Sequence, residues 1–192
     1  MNICLPNYSF VSAADKFDTG GQKVIGGGEV YLQDLCQLLQ KMGHDTTIIQ
    51  GGNKNAEFEF ESIKVIQIPS RGRYWFNLEW KAAVPKNTDY IHLHDANHLF
   101  PYAQENPTST FHGVSWDVPY YGSNHAQYLQ WWGRYKLFKT LINHAIKHSR
   151  AIFSVDTFLL RYVQSEFPNY RDNIEVIYNY ADIEKFKPRK VK

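Results

Sequence analysis

Two cysteines among 192 residues leave little scope for a disulfide framework. Cys4 lies in a short apolar run and Cys36 on a helical stripe, both outside any CxxC or zinc-ligand spacing. Both read as buried thiols of a reducing compartment. Charge of one sign is also scarce: 21 Lys and Arg against 19 Asp and Glu give a net charge of +2, too little for the electrostatic footprint of a nucleic-acid binder. No apolar run approaches the roughly 20 residues of a membrane span. The chain passes from Met1 into an apolar run and Pro6 within a few residues, which leaves no place for a secretory signal. The expected location is therefore cytoplasmic, or peripheral on a membrane surface. Internal repeats and low-complexity stretches are absent, and the length suits one domain.

Aromatic residues are abundant, at 16% of the chain. They suit a thick core, or a surface that stacks on sugars or meets a membrane. The order of elements is regular. Asn2 to Leu5 reads as a buried strand closed by Pro6-Asn7. A long loop, Tyr8 to Gly28, follows. Its Gly20-Gly21 pair and few apolar anchors make the Tyr8–Ile25 stretch an expected mobile segment. Val30, Leu32, Leu35, Leu38, Leu39 and Met42 then recur at helical spacing, and Gly43 ends the helix. Thr46 to Gln50, closed by Gly51-Gly52, is a second strand, which completes a βαβ unit with a parallel sheet.

Strands and helices go on alternating. Strands are expected at Ile63–Ile68, Asp89–His94, Thr108–His112, Ala151–Val155 and Ile174–Tyr178. Helices are expected at Tyr74–Ala83, weakly near His98–Gln104, at Ala126–Lys147 and at Thr157–Ser165. This is the pattern of an α/β fold: a Rossmann-like, doubly wound, mostly parallel sheet with helices on both faces. Such sheets bind ligands at the C-terminal ends of their strands.

Four segments carry candidate chemistry. Gly26-Gly27-Gly28-Glu29 precedes the first helix, where free N–H groups and the helix dipole favour an anion; the alternative is a plain flexible turn. It is neither a GxGxxG dinucleotide loop nor a P-loop, since no Lys-Ser/Thr follows and the second strand ends in Gln50-Gly51 rather than a ribose-binding acid. His92-Leu93-His94-Asp95 ends a strand. A metal on His92, His94 and His98 is the weaker reading, and no metal is expected. His92 is expected inside the sheet, with His94 and Asp95 at the ligand-bearing edge. His112-Gly113 ends another strand, followed by Ser115, Trp116 and Asp117; with Asp117 where a nucleophile elbow needs glycine, Ser115 does not fit a hydrolase.

The fourth segment is the helix from Ala126 to Lys147. Trp131, Tyr135, Phe138, Ile142 and Ala145 form a core-like stripe. Arg134, Lys136, Lys139 and Lys147 make it basic, so it fits either an ordinary core helix or one lying on an anionic membrane.

These segments in this order resemble the N-terminal domain of retaining GT-B glycosyltransferases of family 4. Gly26 to Glu29 with Gly43-His44 is similar to that family's opening, and His112-Gly113 to its His-Gly after a central strand. Ala151 to Val155 with Thr157 resembles a strand and helix of the same layout. Asn179-Tyr180-Ala181-Asp182 with Phe186 and Pro188 resembles the Asn-Gly-Val-Asp-x-x-x-Phe-x-Pro stretch that leads into the second domain, with Tyr180-Ala181 departing from Gly-Val.

The resemblance implies an acceptor-side domain over residues 1–178. Residues 179–192 would start an interdomain hinge towards a C-terminal domain of the same protein, which holds most of the donor. It implies hexosyl transfer with retention from a nucleotide-sugar, which is a substrate; no cofactor and no metal are implied. The acceptor would be a glycan, a lipid or a small molecule. His112 would be the catalytic residue, stabilising positive charge on the reacting sugar through its imidazole or carbonyl. Gly26, Gly27, Gly28 and Glu29 would approach donor or acceptor, and His94 and Trp116 are further donor- or acceptor-binding candidates; Asp95 and Asp117 are placed on the acceptor side by position, without a motif match. The nine glutamates include no pair eight positions apart, so the E-x7-E pair with which this family grips its donor is missing, and residues 1–192 alone are expected to be inactive. A non-catalytic sugar- or nucleotide-binding module is the main alternative, and an NAD-type oxidoreductase domain a weaker one.

Overall fold

The computed structural model describes residues 1–11, 26–103, 106–113 and 124–178. Eight strands form one sheet: β1 (Asn2–Pro6), β2 (Asp45–Gly52), β3 (Ala56–Phe60), β4 (Ile63–Pro69), β5 (Tyr90–Leu93), β6 (Thr108–Phe111), β7 (Ala151–Ser154) and β8 (Ile174–Val176). Their order across the sheet is β3-β4-β2-β1-β5-β6-β7-β8. All pairs are parallel except β3 with β4. The α-helices are α1 (Gly27–Lys41), α2 (Arg73–Glu79), α3 (His125–His148) and α4 (Thr157–Glu166). This is the Rossmann-like α/β sheet expected from the alternation.

Side chains of adjacent strand residues point to opposite faces, and two separate cores follow. Ile3, Leu5 and Ile48 pack with Leu32 and Cys36 of α1. Cys4 and Ile49 pack on the other face with Phe76 and Trp80, Ile142 of α3 and Leu159 of α4. The chain runs from β1 to β2 in one direction and from β5 through β8 in the other. Right-handed crossovers then force the helices of the two halves onto opposite faces. The reversal falls between β1 and β5, so the helices splay apart there and leave a crevice at the C-terminal ends of these strands.

Several expectations need correction. β3 was not read as a strand. It forms a tight hairpin with β4 through Glu61 and Ser62, both at positive φ (46° and 67°), a conformation usually signalled by Asn or Gly. Gly51-Gly52 does not follow β2 but forms its last two residues. A Cβ at Gly51 would stand 2.7 Å from the Tyr8 ring, so glycine admits that side chain. The weak helix near His98–Gln104 is a single 3-10 turn, Ala96–Leu99. The last strand stops at Val176 rather than Tyr178. Both cysteines are free and buried.

The loop after β1 is anchored at its start: the Gly51 amide donates to the Tyr8 carbonyl at 3.0 Å, and Phe10 and Val11 are buried. For Tyr8–Val11 the expected mobility therefore fails. The rest of that loop lies outside the described residues.

Candidate active site

Gly27 and Gly28 are not loop residues, as the glycine run suggested, but the first turn of α1. Gly26 is the N-cap in extended conformation, with no side-chain cap on the helix. The first N–H groups of a helix have no partner within it, so α1 presents donors and the positive end of its dipole. Glu29 lies in the same turn, and its Oε1 accepts a 2.6 Å hydrogen bond from Ser9 Oγ.

The N-terminus of α1 opens onto a cavity of about 350 Å³ at the point where the sheet order reverses. Asn7 after β1 lines one wall, with Gly28 and Glu29 beside it. Arg73 of α2 closes another side. His94, Asp95 and Asn97 come from the end of β5, and His112 and Gly113 from the end of β6. The cavity thus gathers Gly28, Glu29, His94, Asp95 and His112 from the residues singled out in the sequence. Gly26 and Gly27 precede its wall without lining it. Trp116 and Asp117 lie outside the described residues.

Three histidines in this region have different surroundings. His92 is buried within the sheet, its Nδ1 2.8 Å from Thr108 Oγ1 and its Nε2 3.1 Å from Thr110 Oγ1. His98 is buried too. Its Nε2 accepts from the Tyr8 amide at 3.2 Å, and its Nδ1 stands 2.6 Å from Asn77 Oδ1. A ring nitrogen that accepts an amide proton carries none, so His98 is neutral with its proton on Nδ1. With both ring nitrogens of His92 and His98 engaged, the HxH run and His98 do not make a ligand set. Among the described residues no cluster of three metal-binding side chains occurs.

His94 differs. Its ring is buried, stacked at 5.4 Å on Tyr31 of α1, and its Nδ1 lies 3.4 Å from Nε2 of His112. Its Nε2 makes no well-formed hydrogen bond among the described residues, with only a weak polar contact to the Gly28 backbone. That atom faces Gly28, where a Cβ would come within 3.7 Å. Burial, reinforced by the neighbouring His112 and His92, pushes the His94 imidazole down to about 3. Burial also lowers His112, which Asp95 and Glu29 partly offset. His112 nevertheless keeps a solvent-facing side on the cavity.

Asp95 does two jobs. Its Oδ1 accepts from the Asn97 amide at 3.0 Å and so starts the 3-10 turn, while Oδ2 pairs with the Arg73 guanidinium. Burial opposes its charge, but the Arg73 guanidinium and the Asn97 amide hold the carboxyl below its ordinary range. Asn97 Oδ1 is buried with no partner among the described residues. Asn7, Arg73 and Asn97 escaped the sequence reading. The available signal was positional, since Asn7 and Asn97 each follow the end of a parallel strand.

The sequence profile of Glycosyltransferase Family 4 matches residues 25–185, most of the chain. The chain belongs to this family. No curated protein sequence matches it. Among solved structures, a sucrose-phosphate synthase from Thermosynechococcus elongatus is similar over 98% of this chain and 50% of its own, with a TM-score of 0.67 at 14% identity. An α-glucosyltransferase solved with UDP and a mismatched 13-mer DNA matches 96% of this chain and 42% of its own, with a TM-score of 0.49 at 12% identity. The family 4 chain thus spans about half the length of these solved proteins. Its fold is that of the N-terminal domain of a GT-B glycosyltransferase.

Proposed function

We propose that this family 4 domain is the acceptor-side half of a glycosyltransferase that moves a hexosyl group from a nucleotide-sugar to an acceptor with retention. One observation carries the reading: the uncapped N-terminus of α1 and the His112 imidazole share one cavity at the sheet's reversal point. A donor phosphate suits the N–H groups of Gly27 and Gly28. His112, held neutral, offers ring electron density to a sugar that becomes positive as its leaving group departs, where a charged imidazole would repel it.

The acceptor hydroxyl oxygen forms the new bond to the anomeric carbon. The bond from that carbon to the phosphate oxygen breaks, and the hydroxyl proton leaves to the departing phosphate. His94 and the Arg73–Asp95 pair offer donors and acceptors for the acceptor's hydroxyls. In this reading Trp116 and Asp117 extend the acceptor side, and residues 179–192 lead into a second, donor-holding domain. The protein acts in the cytoplasm on a glycan, lipid or small-molecule acceptor, and needs no cofactor.

The test is to incubate full-length protein with UDP-, GDP- and ADP-sugars and candidate acceptors, and to read the anomeric configuration of any product by NMR. A retained configuration is expected. An inverted product would overturn the retaining reading. Tight nucleotide-sugar binding with no transfer to any acceptor would instead make this a binding module.

A further inference from the structure

α3 contains no Asp or Glu in 24 residues, but carries Arg134, Lys136, Lys139 and Lys147. Its C-terminal half is buried through Leu141, Ile142, Ala145 and Ile146, whereas every residue from Asn124 to Gln130 is exposed. Trp131, Tyr135 and Phe138 of the expected core stripe are only half-buried. The helix therefore overhangs the sheet at its N-terminal end, which follows β6 and so lies towards the cavity side.

On this overhang Leu129, Trp132, Gly133, Lys136 and Leu137 fall at helical spacing, on the side turned away from the buried Leu141, Ile142 and Ala145. An outward face is normally polar. Here it reads Leu-Trp-Gly-Lys-Leu, with Lys136 Nζ 5.6 Å from the centre of the Trp132 ring.

A second helix on the same face of the sheet repeats the pattern. α2 turns Phe76 into the core that also holds Ile142 of α3, and leaves Tyr74, Trp75 and Leu78 outside. These three residues and Leu129, Trp132 and Leu137 are each between 41% and 53% exposed. The α2 segment is basic as well, with Arg71, Arg73 and Lys81. Its one acid, Glu79, has Oε2 buried. The two helices are linked across the 3-10 turn: Tyr102 Oη donates to the Leu78 carbonyl at 2.9 Å, and Phe100 packs edge-on against His144 of α3 at 5.3 Å.

We propose that this face of α2 and α3 docks on an anionic lipid bilayer, with Trp75 and Trp132 seated at headgroup depth. Charge decides between occupants. A second copy of the chain would set the basic, acid-free α3 against itself, whereas an anionic surface complements it. Exposed tryptophan and tyrosine beside Lys and Arg are the side chains that partition to a bilayer interface, since their rings suit the acyl boundary and their polar ends the headgroups. The proposal does not rest on the catalytic reading, because no cavity residue except the paired Arg73 belongs to this face.

The experiment is flotation of the 192-residue chain with vesicles of phosphatidylcholine, with and without about one-third phosphatidylglycerol. Binding is expected with the anionic vesicles, at least 10-fold weaker without phosphatidylglycerol, and reduced by salt. Leu129→Gln with Trp132→Gln weakens binding 10-fold or more, and Lys136→Glu alone weakens it several-fold. All three sites are exposed, and circular dichroism checks that the variants fold. No binding to anionic vesicles, equal binding to neutral ones, or binding unchanged in both variants would each overturn the proposal. So would a dimer in light scattering that the Trp132 variant dissociates, which would assign the face to a second copy.

Discussion

Nδ1 of His94 lies 3.4 Å from Nε2 of His112, with the ring centroids 4.3 Å apart. Two imidazoles this close share the space for one proton and resist two charges. Both are held below their ordinary range. The pair therefore presents His112 to the cavity as a neutral ring.

If that ring stabilises the reacting sugar, His112→Ala in the full-length protein lowers turnover by about 10²-fold. The melting temperature should barely move, because His112 stands on the cavity wall with a solvent-exposed side. Steady-state kinetics beside a thermal melt checks both. Near-normal turnover would exclude the imidazole and leave only the backbone carbonyl in that role.

Gly28 offers a test in which stability and binding move in opposite directions. A Cβ there meets only His94 Nε2, at the ordinary contact distance of 3.7 Å, and the residue lies within α1. Gly28→Ala should stabilise the fold by up to about 1 kcal/mol, since alanine gives up less backbone freedom in a helix. The added methyl also crowds the approach to the helix N-terminus, so affinity for a nucleotide-sugar should fall. Unchanged affinity, measured by titration calorimetry, would show that no ligand approaches Gly28 closely.

Acid should unfold the domain early. His92 and His98 are lowered from 6.5 to about 4, and His94 to about 3, all chiefly by burial. The native state keeps these rings neutral while the unfolded chain takes up protons below pH 6.5. Stability is thus complete above that pH and declines as pH falls towards 4. Each ring contributes roughly 1.4 kcal/mol per pH unit within its window. Asp95, lowered in the native state, adds a loss only at still lower pH. Chemical denaturation at pH 7, 6 and 5 should show the decline, and His98→Asn should flatten part of it. A pH-independent midpoint would contradict the neutral assignments.

Residues 1–192 alone should transfer no sugar. The chain spans half the length of the sucrose-phosphate synthase it matches, and contains no E-x7-E pair. A transferase cleft needs a second face to close on the donor and exclude water. Assays of this chain beside the full-length protein decide the matter, and comparable rates would place a complete active site within the one sheet.

The parallel strands and the long helices were legible because their patterns are driven by burial, which repeats along the sequence. β3 was not, although Glu57, Phe58, Glu59 and Phe60 alternate; its turn is built from Glu61-Ser62, without the usual marker residues. The core stripe of α3 misled for a related reason. Helical periodicity records which side faces inward, but not how far the helix extends past what it packs on, so Trp131 and Tyr135 read as internal as Ile142. The cavity was half legible. Strand ends pointed to His94, Asp95 and His112, whereas Arg73 reaches Asp95 only through a crossover whose path the sequence does not spell out.

The same β3 has a further consequence for the protein at high concentration. It is the outer antiparallel strand, with Glu57 and Glu59 exposed on one side and Phe58 and Phe60 half-covered on the other. Two copies meeting edge to edge along it would bring glutamates from both chains alongside one another, with Lys64, which pairs with Glu57 and lies across from Glu59, as the cation beside them. The opposite edge, β8, is three residues long and offers little backbone to a newcomer. The sheet is thereby guarded at both margins against growing into a longer one, by like charge at one and by brevity at the other.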